Sequence, residues 1–361
     1  MMKQHLKYLR ALALTLLLSA LLSVPAHAAA PTFEDVPETS VWHESVEYLA
    51  RHEITFGVGG DRYAPDAPIT VRQMVTMLCR ALRVEDTLSD PAGYAGNACM
   101  LWAYRSGWVS QETWADPNGR VCRSAFYDIA FRALAIPIYS NELYPGGREL
   151  PPGENAWAMA GRLGLCAEEE DGKALLNRGE AAETLFQLLT QEITVEPPVP
   201  GEIQVENREE GDLNDYLLEL LRVPEPILTA FREAGWCYTV DSDYLADLSE
   251  RLGMRCVGAA DYQGKRIYVS DASATLHEFG HFLDWYLRQP SRRESLYQEA
   301  EAAVSLLRKY SLTNEREYFA DCFAYWIKNR ENAGRMAALQ SKAAGTYRYF
   351  ETLESNGWRA V

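Results

Sequence analysis

Two histidines four residues apart, with a glutamate beside the first, are the residues of this 361-residue chain best suited to chemistry: His277-Glu278-Phe279-Gly280-His281. On an α-helix, positions i and i+4 share a face, so both imidazoles can be aimed at one metal ion. Glu278 then sits where its carboxylate can take a proton from a water activated by that ion. H-E-x-x-H on a helix is the spacing of zinc hydrolases, and the surrounding stretch 275–287 is apolar and helix-compatible. Of the six histidines, His5 and His27 lie near the N-terminus and His43 and His52 in a separate N-terminal region. Only the two of the motif occur in the C-terminal part.

A hydrolytic zinc usually takes three protein ligands and keeps one position open. With no third histidine at hand, a carboxylate is the natural choice. The longer form H-E-x-x-H-x-x-G-x-x-H fails, because Asp284 and Leu287 occupy its Gly and His places. Glu317 and Asp321 lie four apart on one expected helix, so one can ligate while the other orients His277. Glu315 and Cys322 are further candidate ligands, and Glu317 is alternatively the partner of Asn314 in a capping box.

These side chains need a scaffold. Residues 213–222 and 226–234 read as helices, and 236–240 and 266–270 as strands. The motif helix follows, then helices over about 295–310 and 314–328 and a helical C-terminal stretch. Residues 213–361 are therefore expected to form an α+β domain. The edge strand along which an extended peptide could lie is expected within 255–260 or 267–270.

Upstream the composition differs. Residues 1–28 read as a secretory signal: Lys3, Lys7 and Arg10 precede an apolar run over 11–24, and Ala26-His27-Ala28 is a small-x-small cleavage site. The apolar run is short for a bilayer span, and no later stretch qualifies as one. Removing the signal takes the formal charge from −16 to about −19, a surface that repels nucleic acid and anionic lipid. The seven cysteines are odd in number and lack C-x-x-C spacing, so they read as small buried hydrophobes, with a Cys237–Cys256 bridge left open.

Three helix starts recur: Ile69-Thr70-Val71-Arg72, Val121-Cys122-Arg123-Ser124 and Leu176-Asn177-Arg178-Gly179. Val71, Arg123 and Arg178 are thus 52 and 55 residues apart, a repeat-array period. The helices they open are expected over 74–83, 126–135 and 181–191. Each is preceded by a helical stretch ending in a break: His52-Glu53-Ile54, Ser106-Gly107-Trp108 and Leu163-Gly164-Leu165. The repeats divide the N-terminal half into 29–85, 86–140 and 141–195. Residues 196–212 follow; with their flank from 192 they hold seven acids, one base and Pro197-Pro198-Val199-Pro200, the composition of an extended linker.

With Phe33-x-Asp35-Val36 and Trp42, these repeats resemble surface-layer homology (SLH) domains in three tandem copies over about 31–191. The resemblance implies an all-α, three-pronged trimer of repeats that binds a pyruvylated secondary polysaccharide of the bacterial cell wall. It carries the helix-start arginine onto Arg123 and Arg178, whereas the first copy has Val71. The C-terminal domain resembles the anthrax lethal factor family, in particular its secreted Pro-Pro endopeptidases. The likeness is strongest over 267–326, with Thr346-Tyr347-Arg348-Tyr349-Phe350 near the end. It implies a zincin-like fold of the gluzincin type and one zinc per chain held by His277, His281 and Glu317. It further implies Glu278 as base, Tyr310 as donor to the oxyanion, and Asp321 behind His277 where close relatives have glutamate. The expected protein is a secreted, wall-anchored zinc endopeptidase acting on proline-rich extracellular protein or peptide, with no nucleic-acid partner and no membrane span. The alternative is a non-catalytic wall-binding S-layer protein or adhesin with an inactive protease-like domain.

Overall fold

The computed structural model describes residues 32–85, 88, 95–151, 153–167, 171–209 and 211–359; the expected signal segment lies outside them. The chain divides into two compact units, Met1–Ile138 with Leu150–Val195, and Tyr139–Glu149 with Glu196–Val361. Among the described residues no helix is long and apolar enough to cross a membrane.

The first unit is helical: α1 (His43–Arg51), α2 (Val71–Ala81), α3 (Ala95–Arg105), α4 (Gln111–Ala115), α5 (Arg123–Ala133), α6 (Glu154–Arg162) and α7 (Arg178–Thr190). The three repeated helices begin three residues earlier than the hydrophobic pattern suggests, because their caps decide the start. Thr70 with Gln73, and Asn177 with Glu180, form reciprocal capping boxes, and Cys122 takes the equivalent place in α5. The breaks after α1, α3 and α6 share one geometry. Glu53, Gly107 and Gly164 have φ of 60°, 74° and 70°, and the next amide in each returns to a carbonyl five residues back. Helices α2 and α3 pack together, as do α5 and α6, and α1 packs on α7.

The three helix starts meet in a closed ring. Ile69 N–H donates to Leu176 O, Leu176 N–H to Val121 O, and Val121 N–H to Ile69 O, at 3.2, 2.9 and 3.2 Å. These three side chains are almost wholly buried. Around them, the first two amides of each helix donate to the loop before another: Val71 and Arg72 to Gly119 and Pro117, Arg123 and Ser124 to Ala174 and Gly172, Arg178 and Gly179 to Ala67 and Pro65. Helix-start amides that ordinarily need water or a cap are thus satisfied between repeats. Phe33 packs on Tyr63, and Asp35 accepts the amides of Tyr63 and Ala64 at 2.8 Å.

The second unit holds β1 (Gln204–Asn207), α8 (Asn214–Leu221), α9 (Glu225–Glu233), β2 (Cys237–Val240), α10 (Ser242–Leu252), β3 (Gly258–Asp261), β4 (Arg266–Val269), α11 (Thr275–Tyr286), α12 (Glu294–Tyr297), α13 (Ala300–Ala303), α14 (Glu315–Asn329), α15 (Ala333–Lys342) and α16 (Ala344–Ser355). The sheet order is β1-β2-β4-β3, with β3 antiparallel and the other pairs parallel. Strand β4 is therefore internal and β3 is an edge, which separates the two strands left open by the sequence. The stretch expected as a free linker contains the other edge: residues 204–207 pair in register with 237–240. Just before it, Gly201 packs on Leu228 and its carbonyl accepts from Arg232 Nη1 at 2.8 Å. Its acidic, proline-rich composition hid this strand, whose burial is only partial. The expected helix over 295–310 is also replaced, by α12, α13 and a 3-10 turn at Lys309–Leu312. Residues 139–149 join this unit, with Ser140 N–H donating to Asn214 Oδ1 at 2.7 Å. Cys237 and Cys256 are both free thiols, so the bridge left open between them does not form.

Helix α11 is the centre of the second unit, buried at every residue from Thr275 to Asp284. One face meets an aromatic cluster: Phe279 and Phe282 lie 4.9 and 5.0 Å from the Phe231 ring, and Phe282 lies 5.2 Å from Trp236. Tyr238 of β2 fixes its start through Thr275, hydroxyl to hydroxyl at 2.6 Å. The opposite face meets α14. A Cβ on Gly280 would stand 2.6 Å from Ala320 Cα, so only glycine lets the two backbones approach this closely. Helix α14 is held in turn by α16, where Thr346 bonds Tyr318 and Glu299 accepts the amides of Gly345 and Thr346.

Gly280→Ala should therefore destabilise the second unit by about 1–3 kcal/mol through overpacking against backbone. It should also loosen the α11–α14 register. Thermal melting with a metal-binding titration checks both; a variant melting like the wild type would mean the helices separate at little cost.

Candidate metal centre

The close approach at Gly280 places His277 and His281, one turn apart on α11, opposite Glu317 on α14. Glu317 Oε2 lies 3.0 Å from His277 Nε2 and 3.3 Å from His281 Nε2. These three residues offer ligand atoms all within 4.8 Å of one another. Two imidazoles and a carboxylate make a donor set of the type that holds zinc, so the residues present fit that ion. The structure also separates the alternatives for the third position. Asn314 caps α14 by accepting the amides of Arg316 and Glu317, while the Glu317 side chain turns to the histidines. Neither Glu315 nor Cys322 joins the group; Cys322 is buried beside Tyr318.

Behind the histidines the arrangement continues. Asp321, one turn after Glu317, brings Oδ1 to 2.8 Å from His277 Nδ1, so the shorter side chain reaches the ligand it was expected to orient. His281 Nδ1, by contrast, is buried with no hydrogen-bond partner among the described residues.

Electrostatics tie the cluster together. Burial opposes a charge on His277, but the hydrogen bonds to Asp321 and Glu317 outweigh it and raise its pKa to about 9. Burial likewise works against an ionised Glu317, and the two histidines overcome it, holding its pKa at about 2. A divalent cation on the same three atoms would compete with the protons on the imidazoles.

Glu278 is 4% exposed, and its pKa is raised, first by burial. Strand β3 covers it: a Cβ on Gly258 would collide with Glu278 Oε1. The sequence marked this stretch as a candidate edge but not why glycine stands there. Tyr310 is 38% exposed, and its ring centroid lies 6.2 Å from that of His277. Its pKa is raised by burial, so the phenol keeps its proton at neutral pH.

Arg308 is the residue the sequence reading missed. Its Nε and Nη2 both donate to Asp321 Oδ1, and Nη2 lies 2.8 Å from His277 Nδ1. No spacing distinguishes it from a surface arginine; its only signal is its place two residues before Tyr310.

The two arginines expected at polymer-binding grooves have different settings. Arg123 pairs with Glu180 of α7 at 2.8 Å and stays partly accessible. Arg178 is 3% exposed; its Nε donates to Tyr63 O at 2.8 Å and its guanidinium lies over the Tyr63 ring at 4.5 Å. Arg178 thus faces inward, because α7 closes on the loop before α2. Val71 is buried at the corresponding place.

A helix-borne His-Glu-His set completed by a carboxylate from a second helix, with a buried glutamate beside it, is the arrangement of a metallohydrolase centre. Comparison with known families agrees. Residues 258–353 match the family described as anthrax toxin lethal factor, N- and C-terminal domain, and residues 32–74 match the S-layer homology domain. Among curated proteins none matches the chain. The chain is therefore multidomain, similar to S-layer homology domains in its first unit and to lethal factor in its second. The first likeness points to the cell surface and its wall polysaccharide, the second to a zinc metalloprotease. The lethal-factor match begins at β3 and spans α11 and α14, so it contains every residue of the cluster.

Metal analysis of the protein after gel filtration should find one zinc per chain in the wild type and in Glu315→Gln and Cys322→Ser, and none in His277→Ala/His281→Ala. Full zinc in the double variant would remove the histidines from the centre.

Proposed function

We propose that this protein is a secreted, wall-anchored zinc endopeptidase. The observation that carries the reading is the convergence of His277, His281 and Glu317 with Glu278 under an edge strand. The three ligands would hold zinc, which when bound supplies Lewis acidity that polarises a peptide carbonyl and lowers the pKa of water. An extended peptide pairs along β3, the edge strand beside Glu278. Glu278 takes the proton from the attacking water and passes it to the leaving nitrogen; its burial and raised pKa suit both halves of that exchange. The Tyr310 hydroxyl donates to the oxyanion that forms in the transition state. Asp321 holds His277 with Nδ1 turned away from the ligand position.

In the first unit, the ring of three helix starts supports three S-layer homology repeats rather than one, with the second and third too divergent for the family match. The unit anchors the enzyme to a secondary wall polysaccharide. Arg123 is the better candidate for an anionic contact, since Arg178 is engaged with Tyr63. The rival reading, a wall-binding protein with an inactive protease-like domain, is disfavoured because base and ligands are all present and meet.

For substrate, the lethal-factor likeness and the chain's own Pro197-Pro198 favour proline-rich segments, which enter an edge-strand cleft already extended. Pro198 lies six residues before β1, whereas β3 is the opposite edge of the sheet. Cleavage of that bond is therefore expected between molecules rather than within one.

Digestion of a peptide library that includes residues 195–200, read by mass spectrometry, tests activity and specificity together. Glu278→Gln should abolish cleavage while keeping zinc. Tyr310→Phe should lower kcat roughly ten- to a thousandfold with little change in KM. Cuts without proline on either side would discard the Pro-Pro specificity, and normal turnover in Glu278→Gln would discard the mechanism.

Anchoring is tested separately. The mature protein should pellet with purified cell-wall sacculi and stay in solution once the secondary polymer is stripped. Arg123→Glu should weaken pelleting, and equal binding to stripped walls would rule out the polysaccharide.

A further inference from the structure

We propose that Arg308 is a positioning residue of the metal centre, one residue that fixes a metal ligand through its side chain and the turn carrying the oxyanion donor through its main chain. The inference rests on the hydrolytic reading above. Its guanidinium grips Asp321 Oδ1 with two nitrogens, Nε at 3.0 Å and Nη2 closer still. The same oxygen lies 2.8 Å from His277 Nδ1, and Arg308 Nη2 stands at 2.8 Å from that nitrogen too, so the guanidinium touches both members of the pair. Two donors on one oxygen leave Asp321 little freedom to swing away from His277. Its second oxygen is buried, finds no hydrogen-bond partner among the described residues and adds no restraint of its own.

The other half of the role is in the main chain. The Arg308 carbonyl accepts from Ser311 N–H at 3.0 Å and Ser311 Oγ–H at 2.7 Å, and Ser311 is fully buried. These bonds close the 3-10 turn Lys309–Leu312 that carries Tyr310. The guanidinium carbon also stands 5.9 Å from the Tyr310 ring centroid. Asp321 belongs to α14 and His277 to α11, so the turn is tied to both helices through a single residue.

Charge gives the reason for an arginine here. Glu278, Glu317 and Asp321 bring three carboxylates into one largely buried site. A bound dication offsets two, and Arg308 supplies the third positive charge. A buried carboxylate left without its counter-charge is costly, and a fork with two donors is better suited than a lysine to hold one oxygen in a fixed direction. An ordinary half-exposed ion pair would have no effect on metal binding.

The test is a double-mutant cycle on the mature full chain, read as zinc affinity by competition with a chromophoric chelator. Arg308→Gln and Asp321→Asn should each weaken zinc roughly ten- to a hundredfold, the range for residues that orient a ligand. The double variant should be no weaker than about the worse single, because both break one unit. Melting temperatures of the zinc-free proteins should stay close together, and on the best peptide from the library Arg308→Gln should lower kcat more than it changes KM. Wild-type zinc affinity in Arg308→Gln, or losses that add in the double variant, would overturn the role of Arg308 while leaving the hydrolase intact. A wild-type chain that takes up no zinc would overturn both.

Discussion

The contact between Gly280 and Ala320 is the constraint on which the second unit depends. The histidines lie on α11 and the carboxylates on α14, and neither helix alone holds a complete ligand set. Their side chains are short, so the backbones must come within a few ångströms for Nε2 and Oε2 to meet. Glycine at 280 permits that approach, and it sits inside the five-residue motif for a reason unconnected with chemistry. The aromatic cluster on the far side of α11, built from Phe231, Trp236, Phe279 and Phe282, presses the helix toward α14. Packing on one face thereby sets the geometry of the other.

Such a site concentrates charge where solvation is poor. Asp321 and Glu278 are almost fully buried, and Glu317 is mostly so. Burial penalises each of them, and each is compensated differently: Asp321 by Arg308 and His277, Glu317 by two imidazoles, and Glu278 only by the surrounding field. Glu278 is the carboxylate left with a raised pKa. That division separates groups that bind from the group that moves protons.

Much of this was legible in sequence. Helical spacing joined His277 to His281 and Glu317 to Asp321, and the cap at Asn314 fixed the start of α14. Strands β2 and β4 and helices α8 and α9 fell close to their expected places. What stayed hidden was tertiary. Strand β1 looked like linker because its strand character comes from pairing with β2 and not from its own apolar pattern. In place of the helix expected before Tyr310 stand α12, α13 and a 3-10 turn, the last closed by Ser311 on the Arg308 carbonyl. The inward turn of Arg178 depends on Tyr63, 115 residues away, and no local pattern announces it.

The ring in the first unit has a further consequence for how that unit folds. Its first helix start is completed by its last: Ile69 waits for Leu176, and the amides of α7 close on residues 65 and 67. These are contacts of high sequence separation, so their loop-closure entropy falls due late. During synthesis, no fragment ending before about residue 179 has the partners its leading third requires. The unit is therefore expected to acquire its structure in one late cooperative step rather than repeat by repeat, unlike an open solenoid, which can grow from one end.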